Sequence, residues 1–181
     1  MKTLCVSLLL LFVISFSSES LHAQEFPKID ASPMDLALAR PDKDSPPLAR
    51  VIYSRPVKNG RKIFGELVPY GNVWRTGANE ATELTLYIPM KLGDTVLDEG
   101  TYTLYTIPDK DSWTVIVNCD TNVWGSYSYS KFNDMARINV PTKKPAAPVE
   151  TLSMAFKTNV KGTTLLIGWD TVYIEIPFKK I

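Results

Sequence analysis

Thr82-Glu83-Leu84-Thr85-Leu86-Tyr87-Ile88-Pro89 alternates apolar and polar side chains. Leu84, Leu86 and Ile88 point one way, and Glu83, Thr85 and Tyr87 the other. A period of two residues belongs to a half-buried strand, because successive side chains of an extended chain project to opposite faces. The same pattern recurs downstream. Gly100 to Pro108 alternates and is rich in Thr and Tyr, Asp109-Lys110-Asp111 makes a charged tip, and Trp113 to Asn118 returns. These two segments predict a hairpin. Met90 to Leu97 reads as a strand broken by a Gly93-Asp94 turn. Thr151 to Phe156, Thr164 to Trp169 and Val172 to Phe178 are further strands, and Asn159 to Gly162 is a turn.

Upstream, Ala49 to Tyr53 is the candidate first strand, and Asn59-Gly60 is a tight-turn signal. Ile63 to Gly71 fits a short strand or one helical turn. Trp124 to Tyr129 reads as loop or edge strand, Lys131 to Met135 as one helical turn, and Ala136 to Val140 as a short extended piece. No segment sustains a 3.6-residue period. About eight or more short strands at close spacing predict an all-β fold, an antiparallel, jelly-roll-like β-sandwich, with a small open β-barrel as the alternative. Pro89, Pro108, Pro141 and Pro177 are placed at strand ends or edges, where a missing N–H costs least.

The N-terminus has a different character. Lys2 precedes an almost unbroken apolar run from Leu4 to Phe16, then small and polar residues from Ser17 to Gln24 with Ala23 before the expected cut. This is the pattern of a secretory signal peptide over residues 1–24, and the run is short for a bilayer span. The expectation is an exported protein, periplasmic or secreted, with no transmembrane segment in the mature chain. Cys5 lies at the start of the run, the wrong place for a lipidated cysteine. Residues 25–47, rich in Pro, Asp and Ser, read as an extended lead-in with at most a short local element at Ala37-Leu38-Ala39. Residues 48–181 read as a single domain.

Composition narrows the chemistry. The formal charge of +1 gives no electrostatic argument for nucleic acid. The single histidine, His22, falls in the leader. The remainder therefore lacks a His-based triad, a mixed His/Cys zinc site and histidine general acid–base chemistry. Cys119 is left without a cysteine partner and reads as a small buried hydrophobe at a strand end. No cofactor or metal is expected. Asp94, Asp98 and Glu99, then Asp109 and Asp111, then Asn118, Asp120 and Asn122 lie in turns, without the spacing of a calcium loop.

The candidate site is Trp74-Arg75-Thr76-Gly77-Ala78-Asn79-Glu80-Ala81-Thr82. Arg75 carries a rigid fork suited to carboxylate or phosphate. Asn79 can donate and accept, and Glu80 can accept or exchange a proton. Arg55 and Arg61, on a preceding hairpin, complete a ligand-binding set of Arg55, Arg61, Trp74, Arg75, Asn79 and Glu80. The bland alternative is a structural network of these same polar groups. No residue is singled out as catalytic: a glycosidase needs two opposed carboxylates, and Glu83 is expected on the face away from the core with nothing to place it beside Glu80. Trp124, Tyr127 and Tyr129 form a possible aromatic platform for a sugar or a partner protein.

Arg55-Pro56, Gly60 to Gly65, Leu67 to Gly71, Val73 to Thr82 and Gly100 to Leu104 together resemble the DUF2911 family, exported bacterial proteins of unknown function. The resemblance extends from about Ser32 to Ile181, and the composition resembles proteins of the Bacteroidota. It implies a single exported domain and supplies no activity, substrate or cofactor. The functional expectation is a non-catalytic exported domain that binds a small polar ligand, a glycan or an envelope protein. The alternatives are a glycan or ester hydrolase using Glu80 with nearby arginines, and a structural envelope protein without ligand.

Overall fold

The computed structural model describes residues 25–181. The expected signal peptide lies outside the described residues. Among them are eleven strands: β1 Met34–Ala39, β2 Ala49–Ser54, β3 Glu83–Leu86, β4 Met90–Leu92, β5 Thr95–Leu97, β6 Gly100–Ile107, β7 Ser112–Asn118, β8 Asp134–Pro141, β9 Val149–Asn159, β10 Gly162–Asp170 and β11 Val172–Lys180. They make two antiparallel sheets, one in the order β1-β2-β3-β6-β7-β8, the other β5-β4-β11-β10-β9. The sheets pack face to face as a β-sandwich and do not close into a barrel, which removes the barrel alternative. β1 approaches β9, and β8 approaches β5 and β11, so the sheet edges lie over one another.

The alternation in β3 sorts side chains as expected. Leu84 and Leu86 are buried and Glu83 and Thr85 are partly exposed. Inward residues of both sheets, among them Val51, Leu104, Val115, Leu165, Ile167, Ile174 and Ile176, form one continuous core. β6 and β7 depart from the rule of one dry and one wet face. Tyr105 and Ile116, on their outer face, are fully buried with Ala81 beneath Val73, Ile107 and Tyr129. The segments around residues 73–81 and 119–133 cover that face, which accounts for the unbroken apolar run Val115-Ile116-Val117.

Two expectations change. Met34–Ala39 is a strand, paired residue for residue with β2; the lead-in therefore supplies an edge of the first sheet. Cys119 is exposed, because β7 ends at Asn118, whose buried amide turns inward to Ser130 O and Asp134 Oδ1. Pro177 lies inside β11, opposite Thr164 of β10 and one residue before the stretch that pairs with β4. Short β4 leaves that flank open, so the proline still sits at a local edge.

Arg55 ties the lead-in to the second sheet. Its guanidinium donates to Asp35 Oδ2 at 2.7 Å, Ser153 Oγ at 2.9 Å and Leu152 O at 3.1 Å. The ion pair is half-exposed and contributes little by Coulomb attraction alone. Arg55→Ala is expected to cost about 1–2 kcal/mol through the lost hydrogen bonds, read by urea unfolding. A change under about 0.5 kcal/mol would show that the junction is not structural.

Burial pushes the phenols of Tyr53, Tyr102, Tyr105 and Tyr129 above their ordinary range. Tyr129 is raised further by the hydrogen bond it donates to Asp134. In the unfolded chain these groups ionise near pH 10, whereas in the fold they stay neutral. The stability they contribute is fully present below about pH 10 and is lost as pH rises through their folded values. The thermal midpoint should therefore fall above about pH 10, and ultraviolet titration should show a late-ionising class of tyrosines. Four phenols all titrating normally would contradict this.

Candidate functional site

The loop from Arg55 to Thr82 closes one end of the sandwich. Val57 bridges to Thr151 of β9 and Trp74 to Thr106 of β6, so the loop pins both sheets. Asn59 and Gly60 adopt the left-handed conformations expected of their turn, but no hairpin forms. Ile63 to Gly71 is neither strand nor helix; Phe64 and Val68 pair across a tight local turn. Loops of this length without regular structure are commonly functional.

Beneath the loop lies an aromatic cluster. Trp74 and Trp169 stack with centroids 6.1 Å apart and planes at 17°. Phe64 packs edge-on against Trp74, Trp113 and Trp169. Trp74 Nε1 donates to Gly77 O and Trp169 Nε1 to Glu150 O. Gly77 eases a close approach to the end of β2, since a Cβ there would stand a tight 3.2 Å from Ser54 O.

Thr76 carries the unusual backbone of the site, with φ of 56°. A β-branched residue is strained in that region. The conformation is held from three sides: Thr76 Oγ1 meets Thr106 Oγ1 at 3.1 Å and donates to Trp74 O, while Thr82 Oγ1 donates to Thr76 O at 2.9 Å. Thr76 is fully buried. This clamp fixes the backbone immediately after Arg75.

Arg75 is the notable side chain. Its Nε is buried and finds no hydrogen-bond partner among the described residues. It lines a cavity of about 220 Å³ with Ser32, Arg61, Leu67, Trp74 and Trp169. Arg61 spends Nε and one Nη on Lys58 O and Val57 O, which orders its fork. Two guanidiniums thus share one concavity whose floor is the tryptophan pair. No carboxylate lines it among the described residues. The donor set suits an anion.

The six expected ligand residues therefore divide. Arg61, Trp74 and Arg75 come together. Arg55 is committed to Asp35 and β9. Asn79, also left-handed at φ 56°, donates to Asp30 Oδ1 at 3.1 Å. Glu80 is exposed and lines a different cavity of about 180 Å³ with Met34, Ile52, Ala81, Glu83 and Val123. Arg75, Asn79 and Glu80 do not satisfy one another, as the structural-network reading requires. Trp124 and Tyr127 are exposed, with Trp124 bridging by backbone to Glu80. Tyr129, unlike that pair, is partly buried. Its ring packs edge-on against Tyr105 at 5.2 Å, and its hydroxyl joins Asp134 and Arg137.

Leu67, Ser32 and Trp169 were not anticipated as parts of the site. Trp169 arrives from β10, far along the chain, and no local spacing announces that contact. No group of three or more Cys, Asp, Glu or His among the described residues is placed to hold a metal ion. No helix among them is long and apolar enough to cross a membrane.

No curated protein and no solved structure matches the chain. A family model described as "Protein of unknown function (DUF2911)" matches residues 44–178, from just before β2 to near the end of β11, leaving β1 outside the match. With most of the chain covered by that match, this protein belongs to the DUF2911 family.

Proposed function

We propose that this is an exported binding domain without a catalytic role, which holds a small anionic ligand in the Arg61–Arg75 cavity. The apolar stretch Leu4 to Phe16, followed by Ser17 to Gln24, supports export. The observation that carries the binding role is Arg75. A buried guanidinium nitrogen without a partner is costly, and a carboxylate or phosphate in the cavity would supply the missing acceptor. The Thr76 clamp beside it supports the same reading, since backbone strain is commonly stored where a side chain must be aimed. Acidic monosaccharides and short acidic glycans fit a concavity with cations above and aromatic rings below.

The test is calorimetric titration of the protein with glucuronate, phosphate, sulfate and glucose. At least one anion should saturate while glucose does not. Equal responses to glucose and glucuronate, or no response to any of the anions, would end this reading.

A second reading, a glycan or ester hydrolase using Glu80, rests on Glu80 and Glu83 lining the same cavity, although the arginines line another. It expects turnover of nitrophenyl glycosides or esters that falls at least about a hundredfold in Glu80→Gln. Absence of turnover in the parent protein would dismiss it.

A further inference from the structure

On the outer face of the second sheet, three neighbouring strands leave a hollow. Gly168 of β10 stands between Ser153 of β9 and Tyr173 of β11 in the pairing register, and Ala155 lies opposite Leu166 one row on. The result is an open cleft of about 360 Å³ lined by Pro145, Ala146, Ala155, Leu166, Gly168 and Tyr173, with Lys144 at its rim. That volume is in the range of small-molecule clefts. Gly168 is not there for its backbone: its φ lies outside the left-handed region, and an added Cβ would make ordinary contacts, 3.4 Å from Tyr173 Cβ and 3.8 Å from Val149 Cγ2. What a side chain at 168 would remove is the space.

The wall opposite the sheet is fixed. Lys143 and Tyr173 exchange two backbone hydrogen bonds of 2.8 Å, which fasten the 142–148 connection to β11. The floor asks for no polar ligand atom, because Ser153 Oγ donates to Thr151 O and accepts from Arg55. The rim is cationic. Glu175, the carboxylate beside it, is held by Lys143 at 2.6 Å and lies 4.0 Å from Lys157, while Lys144 has no ion-pair partner among the described residues. An apolar bed with an uncommitted ammonium at one end is complementary to an apolar tail with an anionic head.

We propose that this cleft binds a small aliphatic carboxylate, with its chain over Gly168 and Ala155 and its head at Lys144. The site is independent of the arginine cavity. The test is calorimetric titration of the protein with octanoate, with octylamine and octyl glucoside as controls. Octanoate should saturate, the controls should not, and Gly168→Leu should weaken octanoate about tenfold or more without lowering the thermal midpoint. Lys144→Glu changes an exposed residue and should weaken octanoate by a similar factor, so it decides the matter if Gly168→Leu folds poorly. Arg75→Met should leave octanoate affinity unchanged. Failure of octanoate to saturate, equal binding of octylamine, or affinity retained in Lys144→Glu would overturn the proposal. Loss of octanoate binding in Arg75→Met would also overturn it by relocating the ligand to the arginine cavity.

Discussion

Trp169→Ala is expected to remove about 3–5 kcal/mol from the unfolding free energy, the largest loss from any single truncation proposed for this protein. Trp169 is almost fully buried, stacks on Trp74 and receives the edge of Phe64. Its indole N–H also satisfies Glu150 O. Alanine would leave a cavity between the two sheets, strip the aromatic contacts and remove one of the two hydrogen bonds that Glu150 O accepts, the other coming from Lys58 N. Because Trp74 is held by its backbone bridge to Thr106 of β6, the site has little freedom to collapse. Domains of this size are stable by only about 5–15 kcal/mol, so the urea midpoint should fall steeply with little change in the slope of the transition. A loss under about 1 kcal/mol would mean that the aromatic cluster is not the keystone of this end of the sandwich.

Arg75→Met should separate binding from stability. Methionine keeps the length and apolar stem but removes the buried Nε and the charge. If Arg75 served the fold, its removal would destabilise; a broken buried ion pair typically costs about 3–5 kcal/mol. Arg75 instead has no partner for its buried nitrogen among the described residues. The variant should therefore be as stable as the parent or more stable, by up to about 1–3 kcal/mol, the penalty for an unsatisfied buried donor. The same change should weaken the anion found by titration about tenfold to a hundredfold, as expected for a charge-assisted hydrogen bond of about 1.5–3 kcal/mol. Stability unchanged or raised with affinity lost is the pattern of a functional residue that the fold tolerates at a cost. A destabilised variant with intact affinity would place Arg75 in the scaffold.

The alternating segments were legible because period two is a local property. Leu84 and Leu86 announce β3 without any knowledge of its neighbours, and the β6–β7 hairpin follows from an alternating run and an apolar run on either side of a charged tip. β1 was not legible. Met34, Leu36 and Leu38 alternate too, but on the exposed face, and the prolines and aspartates around them masked a strand whose burial comes from pairing with β2. Cys119 was misplaced for a similar reason, since an apolar run does not reveal where the strand stops. Part of the site could be read locally: Trp74, Arg75 and Arg61 are close in sequence and meet in space. Arg55 and Glu80 are just as close and diverge, Arg55 drawn to Asp35 and β9, Glu80 turned onto the outer face by the left-handed residue before it. Trp169 and Ser32 reach the cavity through the packing of distant strands, which no spacing encodes.

The most direct test of the anion cavity follows the side-chain Nε–H resonance of Arg75 in a nitrogen-15 labelled sample titrated with glucuronate, with glucose as the uncharged control. The resonance, assigned by its disappearance in Arg75→Met, should move saturably with glucuronate and stay in place with glucose. An Arg75 resonance that ignores glucuronate, phosphate and sulfate alike would contradict the assignment of this cavity as an anion site.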